Sequence, residues 1–177
     1  MSFYNIALES SIEKRLFKQK NEFCVFISHK KEDKLAAIDI GRYLMETVGV
    51  HIYLDIMDEK LQKATQIEND KVIVESIKEG LEYSTHLLCL ISEKTHLSWW
   101  VPYEIGVADD KNLNIASLKL KKTDDIPSYL KIHPAFYNVD QFVRYTTNYT
   151  HYGQLFFESA YQKISKNTDI LKRHIDY

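Results

Sequence analysis

The pattern of this chain predicts an α/β domain organised around an open parallel sheet, and three observations carry that prediction. Short apolar runs alternate with longer stretches of helical periodicity. The runs are apolar at consecutive positions rather than at every second one, as strands covered on both faces require. A chain of 177 residues, 45% of them hydrophobic and 27% charged, can bury a proper core and has the length of one domain rather than two.

Residues 1–21 are expected to form a helical extension ahead of a single domain at 22–177. Ile6, Ile12, Leu16 and Phe17 recur there among charges, which suits a helix that packs on the domain or on a neighbour. Residues 23–27 form the first apolar run. Ala37, Ile40, Gly41, Leu44 and Val48 then share one helical face, Lys34, Asp39, Arg42 and Glu46 line the other, and Gly49 supplies the stop. Asp33 is suited to cap that helix. A second strand is expected at 50–54, then a polar loop and a helix carrying Ile67, Val74, Ile77 and Leu81. The third strand falls at 87–91, a helix at 100–110, the fourth strand at 113–118, a weak fifth at 136–139 and a last helix at 154–170. Right-handed crossovers arrange such a chain as a flavodoxin-like sheet of five parallel strands, order 2-1-3-4-5, with helices on both faces. The path reverses between strands one and three, and ligands bind in the crevice beyond the carboxyl ends there. The loops at 28–33 and 92–99 line it.

Composition removes several functions. Lys and Arg total 23 against 25 Asp and Glu, so no basic excess favours nucleic acid or an anionic membrane surface. No stretch approaches the roughly 20 apolar residues of a membrane span. The two cysteines, Cys24 and Cys89, each sit inside an apolar strand, which argues against a disulfide framework and for a reducing, cytoplasmic setting. The seven histidines show no zinc spacing, so no metal or resident cofactor is expected. Ser28, His29 and Asp33 crowd one turn and do not form a hydrolase triad, and no Gly-x-Ser-x-Gly elbow exists.

The most informative segment is Ser98-Trp99-Trp100-Val101-Pro102-Tyr103-Glu104-Ile105-Gly106. Pro102 is tolerated only in a first helical turn, so Glu104 lies near the helix N-terminus, where the dipole favours an ionised carboxylate. Trp100 and Glu104 are four apart and share a face. Acidic residues favour first turns for dipole reasons alone, and tryptophans are more often core than platform. Position at the crevice raises the weight of the functional reading beside these structural ones. Two adjacent tryptophans cannot face the same side, so one of them is expected near the surface.

Phe26-Ile27-Ser28-His29 followed by Asp33-Lys34 resembles the first box of bacterial TIR (Toll/interleukin-1 receptor) domains, and Ser98-x-Trp100-x-x-x-Glu104 resembles their catalytic box. The run from Ser84 to Ser92 is similar to the strand leading into that box. The resemblance spans residues 23–110, and the remainder matches in element order only. It implies an enzyme that cleaves NAD+, as substrate rather than cofactor, to nicotinamide and ADP-ribose or a cyclic isomer, with Glu104 as the indispensable carboxylate. It implies substrate contacts from Phe26, Ser28, His29, Ser98, Trp100 and Tyr103, with Trp100 stacking on a nucleotide ring, and Asp55, at the end of the second strand, is either a further pocket residue or a solvated loop acid. Implied partners are NAD+, further copies through TIR surfaces, and a downstream effector sensing the product, as in stand-alone TIR components of Thoeris antiphage systems. The loop at 55–65 lacks the glycine or Pro-Gly often seen there in such domains. Two alternatives remain open: a non-catalytic TIR adaptor, and a nucleoside deoxyribosyltransferase-like enzyme, which also sets a carboxylate at an anomeric carbon.

Overall fold

The computed structural model describes residues 3–20, 22–54, 70–148 and 168–177. Five strands form one sheet: β1 (Cys24–Ser28), β2 (His51–Tyr53), β3 (His86–Ile91), β4 (Asn114–Lys119) and β5 (Ala135–Phe136). All pair in parallel, in the order β2-β1-β3-β4-β5 expected from the sequence. The helices are α1 (Ser11–Lys20), α2 (Lys34–Tyr43), α3 (Asp70–Glu82), α4 (Trp100–Asp110) and α5 (Val139–Asn148).

Consecutive strand residues enter opposite cores. Val25, Ile27, Leu88, Leu90, Ala116 and Leu118 pack with α2, Phe142 of α5 and the C-terminal Leu171 and Ile175. Phe26, Leu87, Cys89, Ile91 and Ile115 pack with Ile73 and Ile77 of α3 and with Val101, Ile105 and Ala108 of α4. Burial on both faces is the physical reason the runs read as continuously apolar. Helix α2 continues through a π-helical turn at Leu44–Val48 and ends at Gly49. Gly49 takes φ of 78°, a left-handed conformation that favours glycine, and its N–H donates to the Leu44 carbonyl at 2.9 Å.

The N-terminal segment lengthens the sheet edge. Ile52 N–H donates to the Tyr4 carbonyl at 3.2 Å, and the Asn5 side chain bonds both the N–H and the carbonyl of Leu54 at 3.0 and 3.3 Å. Ile6 and Phe17 are buried, whereas Ile12 and Leu16 face solvent, so the expected apolar quartet divides between core and surface.

Four further expectations are corrected. The fifth strand ends at Phe136, and Val139 starts a helix the sequence reading did not foresee. That helix opens with a reciprocal cap: Gln141 N–H donates to Asn138 Oδ1 at 3.0 Å and Tyr137 N–H to Gln141 Oε1 at 2.8 Å. Asp39, assigned to a solvent face, instead bonds His174 Nε2 at 2.8 Å under the C-terminal segment. Ile73, not Val74, is the buried residue at that turn of α3. Asp33 sits at the N-terminus of α2 but makes no side-chain capping bond. The 55–65 loop, Ile67 and residues 154–167 of the expected last helix lie outside the described residues. Among the described residues, no helix is long and apolar enough to cross a membrane.

Candidate active site

Strands β1 and β3 are neighbours, with Ser28 opposite Cys89, and both chains leave the sheet at that end. Helix α4 descends over this junction. Val101, Glu104, Ile105 and Ala108 form its buried face. Three of these are apolar and one is a carboxylate. An acid on the core face of a helix needs a partner, because burying an unpaired charge is costly. Glu104 is 3% exposed, and Ser28 Oγ donates to its Oε2 at 2.5 Å, a charge-assisted bond across the crevice floor. Cys89 lies beside the pair. Its thiol is pushed up by burial first and by the Glu104 charge second, the direction a nearby anion must give.

The first turn of α4 is set by Ser98, whose Oγ accepts from Val101 N–H at 3.2 Å. Pro102 falls inside that turn, as expected. Trp100 and Tyr103 are half-buried and meet edge to face at 6.2 Å between centroids. Trp99, next to Trp100, is 91% exposed. The expected division of the two indoles therefore exists, with Trp100 on the Glu104 side of the helix.

His29 is buried, with Nδ1 at 3.2 Å from the Ile27 carbonyl, which folds the ring back over the end of β1. Phe26 is packed in the core and stacks nearly parallel on Tyr53 at 5.6 Å. Ser28 and Glu104 thus meet at the strand-order reversal, Trp100 lies one turn before Glu104 on α4 and packs against Tyr103, and Phe26 lies in the core against Tyr53. Asp55 lies outside the described residues.

Sequence reasoning missed two features. Cys89, read only as a strand residue, is the floor neighbour of Ser28 and Glu104. Ser92, the residue that ends the third run, donates through Oγ to Asp33 Oδ2 at 2.6 Å and ties the two crevice loops together. Its place after an apolar run was visible, but its partner, 59 residues earlier in sequence, was not. Among the described residues, two small cavities lie away from this crevice. The larger, about 50 Å³, is lined by Phe23, Val25, Val50 and Phe142 on the opposite face of the sheet.

Fold and crevice together define a TIR-type α/β domain. The crystal structure of the TIR domain of the Toll-related receptor TRR-2 from Hydra magnipapillata is similar over 80% of this chain and 97% of that one, with a TM-score of 0.50 and 16% sequence identity, a likeness of fold. The chain belongs to the family described as Thoeris protein ThsB, TIR-like domain, whose model matches residues 26–125. A relative from Bacillus cereus (strain MSX-D12), named probable 3' cyclic ADP-D-ribose synthase ThsB', is 28% identical over 108 residues, covering 59% of this chain and 53% of the relative. The chain therefore matches about half the length of that relative.

Proposed function

We propose that this chain cleaves the nicotinamide–ribose bond of NAD+, with Glu104 as its catalytic carboxylate, and releases ADP-ribose or a cyclic ADP-ribose as a signal in antiphage defence. One observation carries this: a carboxylate 3% exposed at the strand-order reversal, on the same helix face as a half-buried indole. Family membership and the name of the Bacillus relative support NAD+ as substrate and favour a cyclic product.

The chemistry suits these groups. When the C–N bond breaks, its electron pair goes to the pyridinium nitrogen, so nicotinamide departs neutral and needs no general acid. Positive charge grows on the anomeric carbon and ring oxygen, as in glycoside cleavage. A fixed carboxylate attracts that charge more strongly in the transition state than in the ground state, and burial strengthens the attraction. Ser28 Oγ donates to Glu104 as a ribose hydroxyl would on this reading, so bound sugar shares or replaces that bond. Trp100 offers the nucleotide a ring face, with Tyr103 against its edge. His29 lines the pocket from the β1 side, while Phe26 and Ser98, expected as substrate contacts, instead support it, Phe26 from the core against Tyr53 and Ser98 by capping α4. Capture of the anomeric carbon by water forms a C–O bond and gives ADP-ribose. Capture by a hydroxyl of the same nucleotide gives a cyclic product, and either route releases one proton.

On this reading the partners are NAD+, a protein that senses the product and further copies of the chain. A cytoplasmic setting accords with the two buried cysteines, neither of which is in a disulfide.

The test is chromatography with mass spectrometry of NAD+ incubated with the chain and with Glu104→Gln. The variant is expected to lose about a thousandfold or more in turnover, because a key transition-state interaction is removed. Its unfolding temperature should stay within a few degrees, since Gln can still accept from Ser28. Equal turnover by the two proteins overturns the assignment. Turnover of deoxynucleosides in place of NAD+ supports the deoxyribosyltransferase alternative, and absence of turnover at every protein concentration supports the adaptor.

A further inference from the structure

Two hydrogen bonds cross the crevice, and they lie at different depths. The inner one joins Ser28 to Glu104. The outer one joins Ser92, directly after β3, to Asp33, at the end of the loop after β1. Asp33 is an unusual participant. It stands at the N-terminus of α2, where an aspartate ordinarily accepts from the helix's own N–H groups, yet it makes no such bond. Its carboxylate is directed instead to the opposite loop, where Ser92 Oγ reaches it at 2.6 Å.

The receiving loop is built around Ser92. Thr95 Oγ1 accepts from Ser92 N–H at 2.8 Å, and Thr95 N–H donates to the Ser92 carbonyl at 3.0 Å. Ser92 Oγ accepts from Lys94 N–H at 3.3 Å while its own proton goes to Asp33. Asp33 N–H in turn donates to the Lys30 carbonyl at 2.8 Å, closing the β1 loop into a tight turn. Each loop is thus an ordered turn, and the Asp33–Ser92 bond couples the two.

We infer that Asp33 is a positioning residue: through Ser92 it fixes the loop carrying His29 relative to the loop leading to Trp100, and so sets the room a dinucleotide has between them. This rests on the NAD+ reading above. Asp33 sets the mouth of the crevice and not the carboxylate at its floor, which Ser28 and the buried face of α4 hold independently. The two depths separate in kinetics. A loosened mouth weakens substrate binding in ground and transition states alike, which raises KM and spares kcat. A general loss of structure lowers the active fraction, so kcat falls and KM does not change.

Steady-state nicotinamide release by the full chain and by Asp33→Ala, Ser92→Ala, Ser92→Thr and the double alanine variant tests this. Expected are a rise in KM of about tenfold for each alanine variant with kcat within about threefold, no further rise in the double variant, and recovery by Ser92→Thr, which keeps the hydroxyl. Additive effects, a fall in kcat alone, or unchanged KM overturn the inference. Amide hydrogen exchange gives a readout that needs no turnover. Asp33→Ala should accelerate exchange in residues 93–99 and Ser92→Ala in residues 29–33, each on the far side of the bond. Acceleration confined to the mutated loop also overturns it. If the unmodified chain does not turn over NAD+, the functional reading falls while exchange still decides whether the loops are coupled.

Discussion

Glu104 and Glu22 are both glutamates bonded to a buried polar residue, yet their surroundings differ in every other respect. Glu22 is partly exposed and accepts from His51 Nε2 at 3.0 Å. His51 lies at the start of β2, edge-on to Phe3, Tyr4 and Phe17 with centroids 4.5 to 5.3 Å away, and its Nδ1 accepts from Tyr4 N–H at 3.4 Å. One neutral tautomer satisfies both neighbours, so the pair reads as a clamp fastening the N-terminal segment to the sheet edge. Glu104 is almost wholly buried, accepts from the Ser28 hydroxyl and lies beside Cys89, at the end of the sheet where the loops diverge. A structural pair is packed with aromatic surface. A pair suited to chemistry keeps a charge beside polar loops.

The largest expected effect breaks the comparison outright. Glu104→Gln should cost about a thousandfold in NAD+ turnover and little stability, whereas Glu22→Gln should leave turnover within about twofold, measured side by side. His51→Ala is the converse. Removing three ring contacts and two hydrogen bonds from a buried site should lower stability by about 2–4 kcal/mol in chemical denaturation, with turnover per folded molecule retained. Loss of turnover without loss of stability would sink the division between the two ends.

Acid sharpens the same contrast, because the perturbed histidines sit at the strand starts. Burial lowers the His51 pKa despite Glu22, and burial pulls His86, stacked on Phe23 at 4.0 Å, down from 6.5 to about 4. A histidine whose folded pKa is depressed binds more protons when unfolded. The stability it contributes is therefore complete above pH 6.5 and is lost as pH falls from there toward 4. For half-buried His86 the loss amounts to roughly 2–3 kcal/mol. The variant His86→Phe, which keeps the stack, should show a smaller drop in unfolding free energy between pH 7 and about 4.5 than the unmodified chain. An identical drop in both would remove His86 from the account.

The legible parts of the chain are those where one local pattern had one structural meaning. Consecutive apolar residues identified β1 and β3, and Gly49 after a helical stripe identified a left-handed stop. Trp100 and Glu104, four apart behind Pro102, gave the candidate site. Two of the failures come from contacts distant along the chain. Asp33 has the right residue type for a cap and was pulled away by Ser92. Asp39 has the spacing of a solvent face and was covered by His174. The fifth strand was misplaced because Phe136 and Val139 suit a short strand as well as the entry to a helix, and periodicity over four residues cannot separate them. The cap formed by Asn138 and Gln141 was the sequence signal that could have done so.

The smallest expected effect concerns the two adjacent indoles. Trp99 at 91% exposure contributes almost no burial, so Trp99→Ser should change stability by no more than about 0.5 kcal/mol. Trp100 is half-buried against Tyr103, and Trp100→Ala should cost about 1–3 kcal/mol in stability and raise KM for NAD+, since it removes both an edge-to-face contact and the proposed ring platform. Neighbours in sequence point about 100° apart on a helix, so this pair differs in direction far more than in chemistry. If Trp99→Ser raised KM as much as Trp100→Ala, the ring platform would extend around the helix to its solvent side, and the exposed indole would belong to the substrate site.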